Sequence, residues 1–112
     1  LTGILLWIML TPIACIHAQD NITLTPHEAK KVVANVRNKT ALLIDVRTPD
    51  EYNDGHLQFS KNIDYKSADF EAQVNKLNKQ KIIYLYCRTG NRSEKAYALL
   101  KSMGFRSVYN IG

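Results

Sequence analysis

The chain has 112 residues, of which 46% are hydrophobic and 22% are charged. This ordinary globular composition excludes a disordered or coiled-coil chain, and the length suffices for one domain but not for two. Fifteen lysines and arginines against ten acidic residues give a net charge of +5. That mild excess favours small anionic partners, and the cations are too scattered to predict nucleic-acid binding.

Residues 1–18 contain no Asp, Glu, Lys or Arg. Their strongest apolar run, residues 4–10, is shorter than the roughly 20 residues that a membrane span needs. Small residues follow up to Ala18, which is typical of a secretory signal peptide, and we predict cleavage there, leaving residues 19–112 in the periplasm or outside the cell. Two alternatives stay open, namely retention of the segment as a membrane anchor and lipidation of Cys15.

Helix and strand signals alternate through the next part of the chain. Residues 22–24 are interpreted as a short strand, and residues 25–28 (TPHE) form a helix-capping box with proline at the first helical position. The helix that follows has one apolar face, formed by Ala29, Val32, Val33 and Val36. Residues 41–46 (ALLIDV) predict a buried strand, and a second capping box at residues 48–51 predicts a short helix that ends at Gly55.

The same alternation continues to the end of the chain. Strands are predicted at residues 62–65, 82–86 and 107–111, and helices at residues 67–80 and 93–103. The two helices carry apolar faces at Phe70, Val74 and Leu77 and at Ala96, Leu99, Leu100 and Met103. Alternating strands and helices indicate an α/β fold with a mostly parallel sheet.

A single cysteine remains beyond residue 18, and it lies where α/β proteins bind ligands. Cys87 directly follows the predicted strand at residues 82–86 and precedes a predicted helix. In open α/β sheets, ligands bind beyond the carboxyl ends of the strands. A lone thiol has no internal disulfide partner, and in an exported domain it is a candidate reactive group. The plainer interpretation is an inert cysteine buried at the end of a strand.

The residues after Cys87 favour a reactive thiol. They are Arg88, Thr89, Gly90, Asn91, Arg92 and Ser93. Glycine and asparagine can take the positive φ values that a tight loop needs. Loop amides and a helix N-terminus near the sulfur lower its pKa, and the two arginines add positive charge for an anion. The segment predicts a nucleophile in an anion-binding loop, and the sequence has neither metal-ligand spacing nor a glycine-rich nucleotide motif.

Two motifs together resemble those of single-domain rhodaneses, the thiosulfate sulfurtransferase family. The first is IDVRTPDEY at residues 44–52 with Gly-His-Leu at 55–57, and the second is CRTGNRS at residues 87–93. The resemblance covers the chain from Leu24 to its end and, with the export signal, is strongest toward small periplasmic rhodaneses. It implies a rhodanese-like α/β fold whose mostly parallel sheet has helices on both faces.

The resemblance also implies a mechanism. Cys87 would take a sulfane sulfur from thiosulfate or a persulfide donor, hold it as a persulfide and pass it to a thiol or cyanide, without a cofactor or metal. Residues 88–92 would cradle that sulfur. Asp45 and Arg47 flank Val46 at a strand end, so we expect a buried ion pair near the site. The resemblance implies that this pair orients the site without taking part in the chemistry, and a purely structural role is the alternative. The domain is expected to be a monomer, and a sulfur carrier with little turnover on small molecules is the alternative function.

The sequence departs from the family pattern at two places. Phe59 stands where the family has a glycine, so we expect a different local bend. The family pattern also continues beyond Gly112 with a final helix, so we expect the domain as printed to lack that helix.

Loop length separates the sulfurtransferase from a second enzyme class. Cysteine-based phosphatases place an arginine six positions after the cysteine, in a loop wide enough for phosphate. Here Arg92 is five positions after Cys87, and the sixth position is Ser93. The shorter loop suits a single sulfur atom, so a phosphatase or arsenate reductase is the less favoured alternative.

Overall fold

The computed structural model describes residues 24–112. The described residues do not include the predicted signal peptide or anchor at residues 1–18, Cys15, or most of the predicted strand at residues 22–24. Leu24 itself is not in a strand. Within residues 24–112, none of the helices has the length and apolar character that crossing a membrane requires.

The described chain alternates between helices and strands. The helices are α1 (Pro26–Arg37), α2 (Pro49–Asp54), α3 (Phe70–Val74) and α4 (Asn91–Ser102), and the strands are β1 (Ala41–Asp45), β2 (Lys61–Asn62), β3 (Ile82–Tyr86) and β4 (Ser107–Asn110). All neighbouring strands are parallel, in the order β2-β1-β3-β4. The predicted α/β fold with a parallel sheet is confirmed.

Both predicted capping boxes are present at the starts of α1 and α2. The Glu28 carboxylate accepts a 2.8 Å hydrogen bond from the Thr25 amide, while the Thr25 hydroxyl accepts one from the Glu28 amide. Thr48 and Glu51 repeat this reciprocal pair. Each box satisfies two amides that have no partner inside the helix, which explains why these helices begin where the local sequence predicts.

Helices cover both faces of the sheet, as predicted. On one face, α1 contributes Val32 to a core that includes Leu43, Tyr84 and Tyr86. On the other face, α3 and α4 contribute Val74, Ala96 and Leu100 to a core that includes Ile44 and Leu85. Val33 does not belong to the buried stripe of α1, because it is 44% exposed and lines a surface groove with Phe59.

Several predicted boundaries are wrong by a few residues. The helix expected at residues 67–80 is the short α3, because the Leu77 amide bonds to the Val74 carbonyl three residues back, at 2.9 Å, and tight turns replace the helix. Leu77 still packs against the core. The strand expected at residues 62–65 is β2 at Lys61–Asn62, and α4 begins at Asn91 instead of residue 93.

Phe59 adopts a left-handed backbone conformation, with φ of 70°. Glycine accommodates this conformation without strain, whereas a residue with a Cβ does not. The chain therefore makes a glycine-type bend at this position, and the strain falls on Phe59. The replacement of glycine by Phe59 predicts a different bend, whereas the structure shows a glycine-type bend.

Candidate active site

Cys87 lies at the carboxyl end of the central strand β3 and is 6% exposed. It is the single cysteine among the described residues. Its sulfur accepts a 3.1 Å hydrogen bond from the Gly90 amide and lies 3.4 Å from the Ser93 hydroxyl oxygen. The loop closes tightly on the sulfur because Gly90 has φ of 88°. Of the two residues expected to permit positive φ, only Gly90 uses it, since Asn91 is the first residue of α4.

The environment of Cys87 favours the thiolate. Burial raises the pKa of the thiol, but hydrogen bonds from the Ser93 side chain and from the amides of Ser93, Gly90 and Arg92 outweigh burial and hold the pKa below its ordinary value. These amides belong to the start of α4, where backbone N–H groups have no helical partner and the helix dipole is positive. A nucleophilic sulfur at this position is therefore held near its reactive form.

A buried polar network connects the cysteine loop to β4. The Ser93 hydroxyl donates a 2.7 Å hydrogen bond to Asn110 Oδ1, and the Asn110 amide nitrogen lies 3.4 Å from the Gly90 carbonyl. Ser93 is fully buried and Asn110 is 2% exposed. Neither residue is among the site residues predicted from the sequence, although Ser93 ends the CRTGNRS motif. The available signal is that Asn110, like Cys87, lies at the carboxyl end of a parallel strand, where such sheets bind ligands.

The structure contains the ion pair between Asp45 and Arg47. Arg47 Nη2 lies 2.7 Å from Asp45 Oδ2, with the Asp45 side chain fully buried and that of Arg47 12% exposed. Burial raises the pKa of Asp45, but hydrogen bonds to Arg47 outweigh it and hold that pKa below the usual range. Arg47 also donates a 2.7 Å hydrogen bond to the Gly55 carbonyl, and its guanidinium lies 5.8 Å from the centre of the Tyr86 ring. The pair therefore fastens the end of β1 to the loop after α2.

Arg92 is not the free cation that its position after the cysteine suggests. It belongs to the first turn of α4, and its Nη1 and Nη2 atoms donate hydrogen bonds of 2.7 Å and 3.0 Å to the two carboxylate oxygens of Glu51. The Glu51 carboxylate holds the pKa of Arg92 above its ordinary value, and the nearby Cys87 contributes in the same direction. Glu51 is not predicted as a site residue from the sequence, because its place in the capping box already explains that glutamate.

The remaining loop residues are more open. The Arg88 side chain is 70% exposed, with its Nε atom 3.8 Å from the Glu51 carboxylate. Thr89 and Asn91 are exposed as well. Position six after the cysteine, where a phosphatase would carry its arginine, is the buried Ser93, whose hydroxyl contacts the sulfur. The protein is therefore an α/β domain that holds a cysteine in a tight loop at the carboxyl end of a strand of its parallel sheet.

Comparison with known proteins assigns this domain to a family. Residues 26–112 match the Rhodanese-like domain family. The chain therefore belongs to the rhodanese-like family.

The similar proteins include longer ones. The chain is 38% identical over 85 residues to the tRNA uridine(34) hydroxylase of Pelagibacter ubique, covering 75% of this chain and 28% of that protein. It is 31% identical over 98 residues to YrkF of Bacillus subtilis, a protein named as a candidate sulfur carrier, covering 85% of this chain and 51% of YrkF. A solved structure described as rhodanese with anions from E. coli has a TM-score of 0.56 and 32% identity, covering 64% of this chain and 85% of that one.

Proposed function

We propose that this domain is a sulfurtransferase in which Cys87 carries sulfur as a persulfide. The observation that carries the proposal is the position of the Cys87 sulfur, 3.1 Å from the Gly90 amide and at the N-terminus of α4. Such a position stabilises a thiolate, and by the same electrostatics it stabilises the terminal charge of a persulfide. Membership of the rhodanese-like family supports the same chemistry.

The proposed reaction has two half-reactions. In the first, the Cys87 thiolate attacks the outer sulfur of thiosulfate or of a persulfide. A new sulfur–sulfur bond forms while the donor's bond breaks, and sulfite or a thiolate leaves with the electron pair. In the second, a thiol or cyanide attacks the outer sulfur of the Cys87 persulfide, and the thiolate is regenerated. No external oxidant or reductant is required. Residues 88–92 surround the transferred sulfur, and Asp45 and Arg47 hold the neighbouring strand end.

Intact mass spectrometry tests this proposal. Thiosulfate should add the mass of one sulfur atom to the wild-type chain, and cyanide should then remove it and release thiocyanate. Cys87→Ser should show neither event, because a hydroxyl is not ionised near neutral pH. Sulfur loading of the serine variant at a residue other than Cys15, or no loading of the wild-type chain by thiosulfate or an alkyl persulfide, would contradict the proposal.

A sulfur carrier is the second candidate, and the similarity to YrkF favours it. A carrier would accept sulfur on Cys87 from a protein partner and deliver it to another with little turnover of small molecules. Persulfide loading without continuous thiocyanate production would identify a carrier, whereas multiple turnovers identify an enzyme. Cleavage of an aryl phosphate in the absence of sulfur loading would instead support the phosphatase alternative.

We further propose that the domain acts after export as a monomer. The uncharged segment at residues 1–18 supports export. N-terminal sequencing of the protein recovered from the exported fraction should begin at Gln19, and sedimentation should give the mass of one chain. Recovery of the uncleaved chain in the cytoplasm would contradict export, and recovery in the membrane fraction would indicate the anchor or a lipidated Cys15.

A further inference from the structure

Glu51 pairs with Arg92, a cation that the sequence predicts for an anionic sulfur donor. Its two oxygens accept hydrogen bonds from the two terminal nitrogens of Arg92, at 2.7 Å and 3.0 Å. This end-on, bidentate arrangement uses the same face of the guanidinium that recognises a sulfonate or phosphate. A second anion can bind that face only by displacing Glu51.

Two arginines at this edge of the sheet already have carboxylate partners. Arg47 is neutralised by Asp45, and Arg92 is neutralised by Glu51. Arg88 is the remaining arginine of the loop, and its side chain is 70% exposed with Nε 3.8 Å from the Glu51 carboxylate, so solvent screens its charge. Of Arg47, Arg88 and Arg92, only Arg88 has no hydrogen-bonded carboxylate partner, so a dianion at this site relies on Arg88 and on the amides at the start of α4.

Thiosulfate and alkyl persulfides differ in how much they depend on the positive charge of Arg92. In thiosulfate, the sulfonate is bonded directly to the sulfur that Cys87 attacks, so it must lie at the loop during transfer. In an alkyl persulfide, an uncharged carbon chain adjoins the sulfur that leaves. A neutralised Arg92 therefore disfavours thiosulfate more strongly than it disfavours an alkyl persulfide.

We propose that Glu51 is a specificity-determining residue that competes with anionic donors for Arg92 and so directs the site toward organic persulfides over thiosulfate. This inference rests on the proposed sulfurtransferase function. It assigns a second role to a residue that also caps α2.

Glu51→Gln is the variant that separates these two roles. A glutamine at the third helical position still forms a capping box, since its carbonyl oxygen can accept the hydrogen bond from the Thr48 amide. Its amide nitrogen cannot accept a hydrogen bond from Arg92, so the bidentate pair is lost. Glu28→Gln is the matched control, because Glu28 has the same capping-box position in α1 and pairs with Thr25 far from the cysteine loop along the chain.

The kinetic test compares the two donors. In Glu51→Gln, kcat/KM for thiosulfate should rise about ten-fold, mainly through a lower KM, because one charge-assisted hydrogen bond no longer competes with the donor. The value for an alkyl persulfide should change less than about three-fold on the same grounds. Glu28→Gln should leave kcat/KM unchanged for both donors. A thiosulfate kcat/KM that is unchanged or lower in Glu51→Gln overturns the inference, because Glu51 would then position Arg92 for the donor.

A binding measurement keeps this test separate from the proposed function. Calorimetry with inorganic thiosulfate should show tighter binding to Cys87→Ser/Glu51→Gln than to Cys87→Ser, without any turnover. Equal or weaker binding, or no binding to either protein, overturns the role of Glu51 even if wild-type Cys87 forms a persulfide. Failure of the wild-type chain to accept sulfur from either donor contradicts the proposed function instead.

Discussion

The hydroxyl oxygen of Ser93 lies 3.4 Å from the sulfur of Cys87, across the start of α4. The same hydroxyl donates a 2.7 Å hydrogen bond to Asn110 Oδ1. A hydroxyl has one proton, so Ser93 can donate either to Asn110 or to a Cys87 thiolate. In the first arrangement it accepts a hydrogen bond from the neutral thiol, and in the second it stabilises the charged sulfur. The Ser93 hydroxyl can therefore form a hydrogen bond with either protonation state of Cys87.

Ser93→Ala should slow sulfur loading at neutral pH by about ten-fold, the effect of removing one hydrogen bond to a charged sulfur. The pH profile of loading should move to higher pH, because the Ser93 hydrogen bonds help to lower the pKa of Cys87. Ser102→Ala is the control, since Ser102 lies in the same helix and donates to the Leu99 carbonyl. An unchanged pH profile in Ser93→Ala would show that the hydroxyl does not stabilise the thiolate.

The rate at which iodoacetamide alkylates Cys87 should have a different pH midpoint in the folded protein than in the unfolded protein. The folded structure lowers the pKa of Cys87, so the alkylation rate should rise with pH at a lower midpoint than an ordinary cysteine shows. In concentrated urea the midpoint should return to the ordinary cysteine value. Reaction of the Cys87→Ser variant is subtracted to remove the contribution of Cys15. Equal midpoints in the folded and unfolded protein would contradict the hydrogen bonding described for the loop.

Asp45→Asn should destabilise the fold by about 3–5 kcal/mol at neutral pH, because it leaves Arg47 without its buried partner. The folded-state pKa of Asp45 is lowered. Its contribution to stability is therefore present above the unfolded value of about 3.9 and is lost as the pH falls through the lower folded value. Urea unfolding should show the two proteins converging below about pH 4. Asp54→Asn, at an exposed position, should change stability little at any pH; a constant difference for Asp45→Asn would contradict the ion-pair explanation.

Replacing Phe59 by glycine should give a more stable protein than replacing it by alanine, the reverse of the usual order in a helix. Its φ of 70° is left-handed, and its side chain is half exposed. Phe59→Gly should be more stable than Phe59→Ala by about 1 kcal/mol, because only a residue with a Cβ is strained in this conformation. The same comparison at Lys95, an exposed position in α4, should favour alanine by a similar amount, about 1 kcal/mol. Thermal unfolding measures both differences, and a preference for alanine at position 59 would contradict the strain.

Features that depend on neighbouring residues could be predicted from the sequence. The capping boxes at Thr25 and Thr48 join groups three residues apart, so their residue types are sufficient to place the helix starts. The apolar runs of β1 and β3 and the glycine after Cys87 act over equally short distances. The helix at residues 67–80 was predicted too long because Leu77 keeps helical spacing while its backbone forms tighter turns.

Features that depend on the tertiary structure could not be predicted in this way. Arg92 and Glu51 are 41 residues apart, and Ser93 and Asn110 are 17 apart. A sequence shows that an arginine follows the cysteine, but it does not show whether that arginine faces solvent or a carboxylate. The parallel order β2-β1-β3-β4 brings the carboxyl ends of β1, β3 and β4 to one edge of the sheet. Local propensities determined most of the helices and strands of this protein and the place of Cys87 at a strand end, whereas the charge and hydrogen bonding around Cys87 were decided by which strand ends the sheet placed side by side.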